Sequence, residues 1–346
     1  MRSKTILFAT AALAWSLTAA GAFAEMVAEF YKGKTVQFIV GSDVGSGGDT
    51  YNRLIAQFIG RHIPGNPTIV PQNMPAAGGI VHINYMYKQA HRDGTEVGLT
   101  REAVPFEPLL LGSKSKANFD VTKFNWLTSP NSFLNVALAW ETSDVKTAAD
   151  LLTKELIVGG VGQTGSTNDA NILSNLLGFK FKVIQGYPGP AAVDLAMENG
   201  ELEGRATAGW TGLTTRHADW LRDKKVKILY QMGATRHPNI PSDVPTLMEL
   251  AKTEEQKTIL MLKYASNEIG FPFMLPPDVP QDRVDAMRKA FVDTYKDPDF
   301  IAAAKSQGVE VFPVAPERIM EVYKQAYSAP RELVEKLAEL SKAPAK

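Results

Sequence analysis

The sequence predicts an α/β fold divided between two lobes, and three observations carry that expectation. From Lys34 onward, short β-branched runs alternate with helical patterns, which is how stacked βα units around largely parallel sheets read. The 346 residues exceed what one hydrophobic core usually holds. With 45% hydrophobic and 21% charged residues, the composition is that of a globular chain able to bury a large core.

Residues 1–24 read apart from the rest. Arg2 and Lys4 precede an apolar stretch from Ile6 to Leu17, and small residues end in Ala22-Phe23-Ala24, the layout of an export signal with cleavage expected after Ala24. Thr10 and Ser16 interrupt the apolar stretch, which counts against an uncleaved anchor, and no later run is long enough to span a membrane.

The first strand is expected at Thr35 to Val40 (TVQFIV). The loop GSDVGSGGD follows, then a helix whose apolar face is Tyr51, Leu54, Ile55, Phe58 and Ile59. Next come a strand at Thr68 to Val70, the loop QNMPAAGG, a helix from about Ile80 to Ala90, a turn at Asp93-Gly94 and a strand around Val97. A second series starts near Asn135 with NVALAW, runs through LIVGG (Leu156 to Gly160), VIQGY and GRATAGW, and ends with KVKILYQMG. The stretch from Arg236 to Glu255, with three prolines, reads as a connecting excursion, and EIGFPFMLP after it as a strand. The remainder is helical: Val284, Met287 and Phe291 share one face, and after Pro316 the residues Ile319, Val322, Tyr323 and Ala326 share another. No internal repeat is evident. The expected lobes are 25–130 with 264–346, and 131–263.

Loss of Arg2 and Lys4 with the leader takes the basic count from 37 to 35 against 37 acids, a net charge of about −2. There is no basic excess of the kind that supplies nucleic-acid affinity. The absence of cysteine excludes disulfides, thiolate metal sites and a cysteine nucleophile. The five histidines (His62, His82, His91, His217, His237) lack metal-ligand spacing and are expected at surface or helix-face positions, so neither metal nor cofactor is implied.

Gly160, Gly162 and Gly165 have GxGxxG spacing, but the next strand ends in Gln185 where a dinucleotide site needs an acid, and the lysine of a P-loop is missing. HExxH and GxSxG are absent, and the SxxK at Ser113 to Lys116 has no KTG to accompany it, so no catalytic activity is expected. What recurs is a glycine-lined βα turn, at Gly41 to Asp49 and again at Gly160 to Thr167. Such turns aim successive N–H groups at one point, and the following helix adds the positive end of its dipole, so anions are the natural guests. One helix N-terminus contributes about 0.3–2 kcal/mol toward an anion, whereas micromolar affinity needs about 8 kcal/mol. Two turns, one per lobe, with several charge-assisted bonds at about 1.5–3 kcal/mol each, reach that range. A cleft between the lobes is therefore the expected site. Arg101, directly after the third strand, is a candidate for bidentate carboxylate pairing or else a surface ion pair; Trp210 is a candidate wall or else a core residue; Arg205 is a weaker candidate.

The sequence resembles the Bug-type periplasmic solute-binding receptors of tripartite tricarboxylate transporters over essentially the whole mature chain. The resemblance rests on FYKGKTVQFIVGSDVGSGGDTYNRLIAQFI, QNMPAAGGIVHINYMYKQAHRDGTEVG, GVGQTGST, IQGYPGPAAVDLAMENGELEG and DVPTLMEL. It implies a type II-like two-lobe Venus-flytrap fold, a monomer, periplasmic location, a small organic acid as ligand and the permease subunits of a tripartite tricarboxylate-type transporter as partners. On the matching positions, Ser42, Asp43, Val44, Gly45, Ser46, Gly47 and Gly48 of the first loop would surround the ligand with Ala76, Ala77 and Gly78 of the second. Gly162, Gln163, Thr164, Gly165, Ser166 and Thr167 would face them, with Tyr187 and the Gly209-Trp210 turn on the far side. Gln163, Ser166 and Thr167 are expected to read hydroxyl or carbonyl groups. Asp43 departs from the family's commonly proline-rich first loop; an acid beside an anion pocket is unfavourable unless it points away or receives a hydroxyl, amine or proton from the ligand. A ligand-sensing role beside a membrane signalling kinase and an exported enzyme are the alternatives.

Overall fold

The structure, a computed structural model, describes residues 25–161, 165–233 and 236–343; the expected leader lies outside them. In chain order the elements are β1 (Thr35–Val40), α1 (Gly47–Ala56), β2 (Thr68–Asn73), α2 (Ile80–Lys88), β3 (Glu96–Leu99) and β4 (Asn125–Thr128). Then come β5 (Asn135–Trp140), β6 (Leu156–Val161), α3 (Ser166–Leu177), β7 (Phe181–Tyr187), α4 (Pro190–Glu198), β8 (Gly204–Gly209), β9 (Val226–Gln231) and α5 (Glu254–Ile269). The chain closes with β10 (Phe273–Leu275), α6 (Gln281–Lys296), α7 (Pro298–Ser306), α8 (Pro316–Tyr327) and α9 (Arg331–Leu340). No described helix is long and apolar enough to cross a membrane.

Two compact units result, one holding the described chain up to Asn131 with Gly270–Glu321, the other Ser132–Ile269 with the chain from Val322 onward. The sheet of unit one has the order β2-β1-β3-β10-β4. β1, β2 and β3 are parallel, and β10 runs antiparallel between β3 and β4. β1 lies inside the sheet, and both its faces are apolar: Val36, Phe38, Ile39 and Val40 are all buried. Phe38 stacks on Phe291 of α6 at 6.1 Å, and Phe273 of β10 closes the cluster at 4.8 Å from Phe291. Burying each ring contributes roughly 1.5–3 kcal/mol.

The sheet of unit two has the order β7-β6-β8-β5-β9, with β6 parallel to β7 and β8, and β5 antiparallel to β8 and β9. Strand for strand this is the arrangement of unit one, three parallel strands followed by two in alternating direction. The repeat absent from the sequence is present in the topology, and both sheets are mixed rather than largely parallel. One core layer is centred on Tyr230, stacked on Phe179 at 5.7 Å, the other on Trp220, edge-on to Trp140 at 5.0 Å.

The expected strands are found, β1 with the expected bounds, while β4 and the 16-residue α5 were not anticipated. The stripe Ile319, Val322, Tyr323 and Ala326 is buried as read. The last segment differs from the expected lobe division. α9 buries Val334 and Leu337 and packs on α3 and α5, and Asn175 Nδ2 donates to Leu340 O at 2.9 Å, so the chain from Val322 groups with unit two.

Candidate functional site

Parallel pairing decides which loops meet in unit one. Val40, the last residue of β1, stands opposite both Asn73 of β2 and Leu99 of β3. All three strands therefore end level, and the segments that leave them emerge at one edge, where open α/β sheets bind ligands. Gly41 N–H donates to Leu99 O at 3.1 Å and Met74 N–H to Val40 O at 2.9 Å, extending the ladder just past the strand ends. Beyond it lies a pocket of about 250 Å³ lined by Gly41, Ser42 and Asp43 after β1, Pro75 to Gly79 after β2, and Arg101 after β3. The expected residues Ser42, Asp43, Ala76, Ala77, Gly78 and Arg101 are thus brought together.

The β1 loop is held by its own polar groups. Ser46 caps α1, its Oγ accepting from Asp49 N–H at 3.3 Å and lying 2.7 Å from Ser42 Oγ. Ser46 N–H donates to Asp43 O at 3.2 Å, closing a turn that lets Gly45 take φ +79°. Asp49, only 2% exposed, organises the rest. Its carboxylate accepts from Gly45 N–H at 2.8 Å, Asn73 Nδ2 at 2.9 Å and Arg53 Nε at 2.9 Å. Burial alone would raise its pKa, but these bonds hold it below the ordinary value. The Gly45 amide is therefore spent inside the loop, not on a guest. Gly47 and Gly48 form the first helical positions, where N–H groups lack intrahelical partners. At Gly48 an added Cβ would stand 3.2 Å from both Leu99 and Ser42 Oγ, so a larger residue fits only if those side chains give. Val44 projects 74% exposed at the loop tip.

The β2 loop is strained. Ala77, Gly78 and Gly79 take φ of 45°, 66° and 104°, a left-handed run that costs an alanine roughly 1–2 kcal/mol. Strain of this kind clusters at functional sites. Arg101 is exposed, and neither its guanidinium nor the exposed Asp43 carboxylate has a hydrogen bond or ion pair with another described residue. Behind the pocket floor lies His82, on a face of helix α2 as expected and fully buried there. An added Cβ on Gly41 would come within 2.8 Å of its Nδ1. Neither ring nitrogen has a hydrogen-bond partner, and burial pushes the imidazole pKa down to about 4; the Ile39 backbone opposes this only in part and does not reach bonding geometry.

In unit two the same logic sets Gly165, Tyr187 and Trp210 just beyond or at the ends of β6, β7 and β8, with Val161 opposite Tyr187. Gly162, Gln163 and Thr164 lie outside the described residues. Gly165 has φ +85°. Ser166 Oγ accepts from Val161 N–H at 3.1 Å, so its hydroxyl serves the turn. Thr167 is buried with its hydroxyl against the strand: an added Cβ on Gly160 would lie 2.5 Å from Thr167 Oγ1. Thr167 Oγ1 has no hydrogen-bond partner among the described residues. Tyr187 is half-buried against the Trp220 core, and Trp210, 5% exposed, is part of that core. Arg205 is taken by Asp194 at 2.6 Å.

The sequence reading missed Asp49 and its counterpart Asp169. Gly45-Ser46-x-x-Asp49 and Gly165-Ser166-x-x-Asp169 share one pattern, each with a left-handed glycine and a buried acid in the first helical turn. Asp169 accepts from Thr207 Oγ1 at 2.8 Å and pairs with Lys263 at 3.0 Å. That recurring G-S-x-x-D was the available signal. Among the described residues no cluster of three acidic or histidine side chains is placed to hold a metal ion.

No protein-family model matches the chain, and no curated protein matches it by sequence. Solved structures do. A TctC solute binding protein from Polaromonas aligns with TM-score 0.67 and 19% identity, covering 88% of this chain and 99% of its own. The periplasmic binding protein BugD aligns at 0.50 with 20% identity over 90% of this chain and 98% of its own. R. palustris Rpa4515 with adipate aligns at 0.51 with 17% identity over 89% and 97%. The fold shared with these structures is that of periplasmic binding proteins.

Proposed function

We propose that this chain is a periplasmic receptor that captures a small organic carboxylate and delivers it to a membrane permease of the tripartite tricarboxylate type. The observation that carries the reading is the unit-one pocket, where Arg101, whose guanidinium has no hydrogen bond or ion pair with a described residue, lines the wall together with loops that leave three level parallel strands. A planar guanidinium suits a carboxylate. The likeness in fold to a solute binding protein and to a structure that holds adipate supports it. The contribution of the second unit's turn at 162–167 to the same ligand, the periplasmic location and cleavage after Ala24 rest on the sequence and belong to the proposal.

The test is a thermal-shift screen of mono- and dicarboxylates on the protein from Glu25 onward. A ligand at one hundred times its dissociation constant adds about 2.7 kcal/mol of stability. A stabilising acid whose effect is lost in Arg101→Gln supports the reading, and a panel in which no carboxylate raises the melting temperature defeats it. Mass spectrometry of the exported chain, beginning at Glu25 or elsewhere, checks the cleavage.

A further inference from the structure

Two opposite charges line the unit-one pocket, Asp43 from the β1 loop and Arg101 from the end of β3. Both are exposed, and no hydrogen bond or ion pair joins them to each other or to any described residue. The ordinary local duties of an aspartate at such a position are already filled. The cap of α1 is Ser46, and the acid in its first turn is Asp49, which alone accepts the Gly45 amide. Asp43 contributes only its carbonyl, to Ser46 N–H, and that bond fixes its backbone at the pocket wall.

We propose that this pocket takes an amphoteric acid, a carboxylate that also carries a protonated amine, with the carboxylate on Arg101 and the ammonium on Asp43. The inference rests on the carboxylate reading above and narrows its ligand class. A plain carboxylate gains at Arg101 and is repelled at Asp43, whereas an ammonium on the same ligand turns that repulsion into a second charge-assisted bond. A hydroxyl in its place is neutral and forms the weaker kind of bond. The pocket, about 250 Å³, falls just below the usual range for small-molecule sites, which suits the head group of a small amino acid.

The test is calorimetric titration of the protein from Glu25 onward, unfolded and refolded to strip carried-over ligand. The probes are matched pairs: L-aspartate and succinate, L-glutamate and glutarate, glycine and acetate, L-phenylalanine and 3-phenylpropanoate, with L-malate as the hydroxyl control. In at least one pair the amino acid should bind about tenfold or more tightly than its partner. Asp43→Asn should abolish that preference and tighten the amine-free acid, which it no longer repels, and Arg101→Gln should weaken both, with circular dichroism confirming that each variant is folded. Three results overturn the proposal while leaving the carboxylate reading intact: an amine-free acid that binds as tightly as its partner in every pair, malate outbinding aspartate, or a preference that survives Asp43→Asn. Binding of no acid at all defeats both.

Discussion

The Gly45 amide donates to the Asp49 carboxylate at 2.8 Å, across the turn that joins β1 to α1. This contact, with the bonds from Asn73 and Arg53, makes the loop a preformed element rather than a flexible strap. It also neutralises part of the helix dipole from within, so Arg101 is the cationic group that lines the pocket.

Replacing Asp49 by alanine should therefore cost about 2–3 kcal/mol, since a buried acceptor of three bonds is lost while Arg53 remains partly solvated. Urea midpoints at pH 7 measure it. Because the folded pKa is depressed, the stabilisation is fully present above the unfolded value near 4 and disappears as pH falls through the lower folded value. The gap between wild type and Asp49→Asn should narrow at pH 2–3; a constant gap would assign the effect to packing instead.

His82 predicts a different pH dependence. Its folded pKa, about 4, lies below the unfolded value of 6.5, so the unfolded state takes up the proton first. Stability is complete above pH 6.5 and falls between there and about 4, by about 3 kcal/mol in total. His82→Leu removes both unpartnered nitrogens, so it should match or exceed the wild type at pH 7 and show a flatter curve between pH 6.5 and 4. Chemical unfolding at half-unit pH steps provides the comparison, and equal slopes in the two proteins would clear His82 of the role.

The second-unit turn depends on Gly165 through its backbone. An added Cβ meets no heavy atom of a described residue closer than 4.0 Å, yet φ +85° with ψ −133° is a conformation other residues avoid. Gly165→Ala should lower stability by about 1–3 kcal/mol and weaken acid binding, and the β-branched Gly165→Val should cost more stability than alanine. A large extra loss of affinity in valine alone would point to steric blocking of the ligand.

Much of this was legible because parallel strands announce their own loops. The run TVQFIV gave β1 its bounds, and Arg101 stood out because it follows a strand directly. The failures have physical causes. β4 is four residues long, too short to show alternation, and α5 buries Ile259, Leu260, Leu262, Tyr264 and Ile269 around much of its girth, which blurs the helical period. Asp169 meets Lys263 and Thr207, partners far along the chain that no local pattern reveals. Trp210 after a strand fits a wall or a core equally well, and its place in one cluster with Leu213 and Trp220 depends on residues that no local pattern links to it.

Arg205 illustrates the same distinction between a cation that binds and one that builds. Its side chain is 13% exposed and pairs with Asp194, whose other oxygen lies 3.1 Å from His217 Nε2. Asp194→Ala leaves a buried guanidinium without its counter-ion and should cost about 3–5 kcal/mol, while Arg205→Met with Asp194→Leu should recover most of it. Acid affinity of the doubly substituted protein should equal that of the wild type. A loss of binding with stability restored would return Arg205 to the list of ligand contacts.

The last helix tests the division of the chain. α9 covers α3 and α5 through Val334 and Leu337, and the carbonyls at its end accept from Asn171 and Asn175. Ending the chain after Ser328 uncovers that apolar surface and leaves both amides without their acceptors, at a cost of several kcal/mol confined to unit two. Hydrogen exchange should then show faster opening of α3 and α5 while β1 and α6 keep their protection, since Phe38 and Phe291 gain nothing from α9. Were the loss of protection to fall on β1 and α6 instead, the tail would belong with the first unit, as the sequence alone had it.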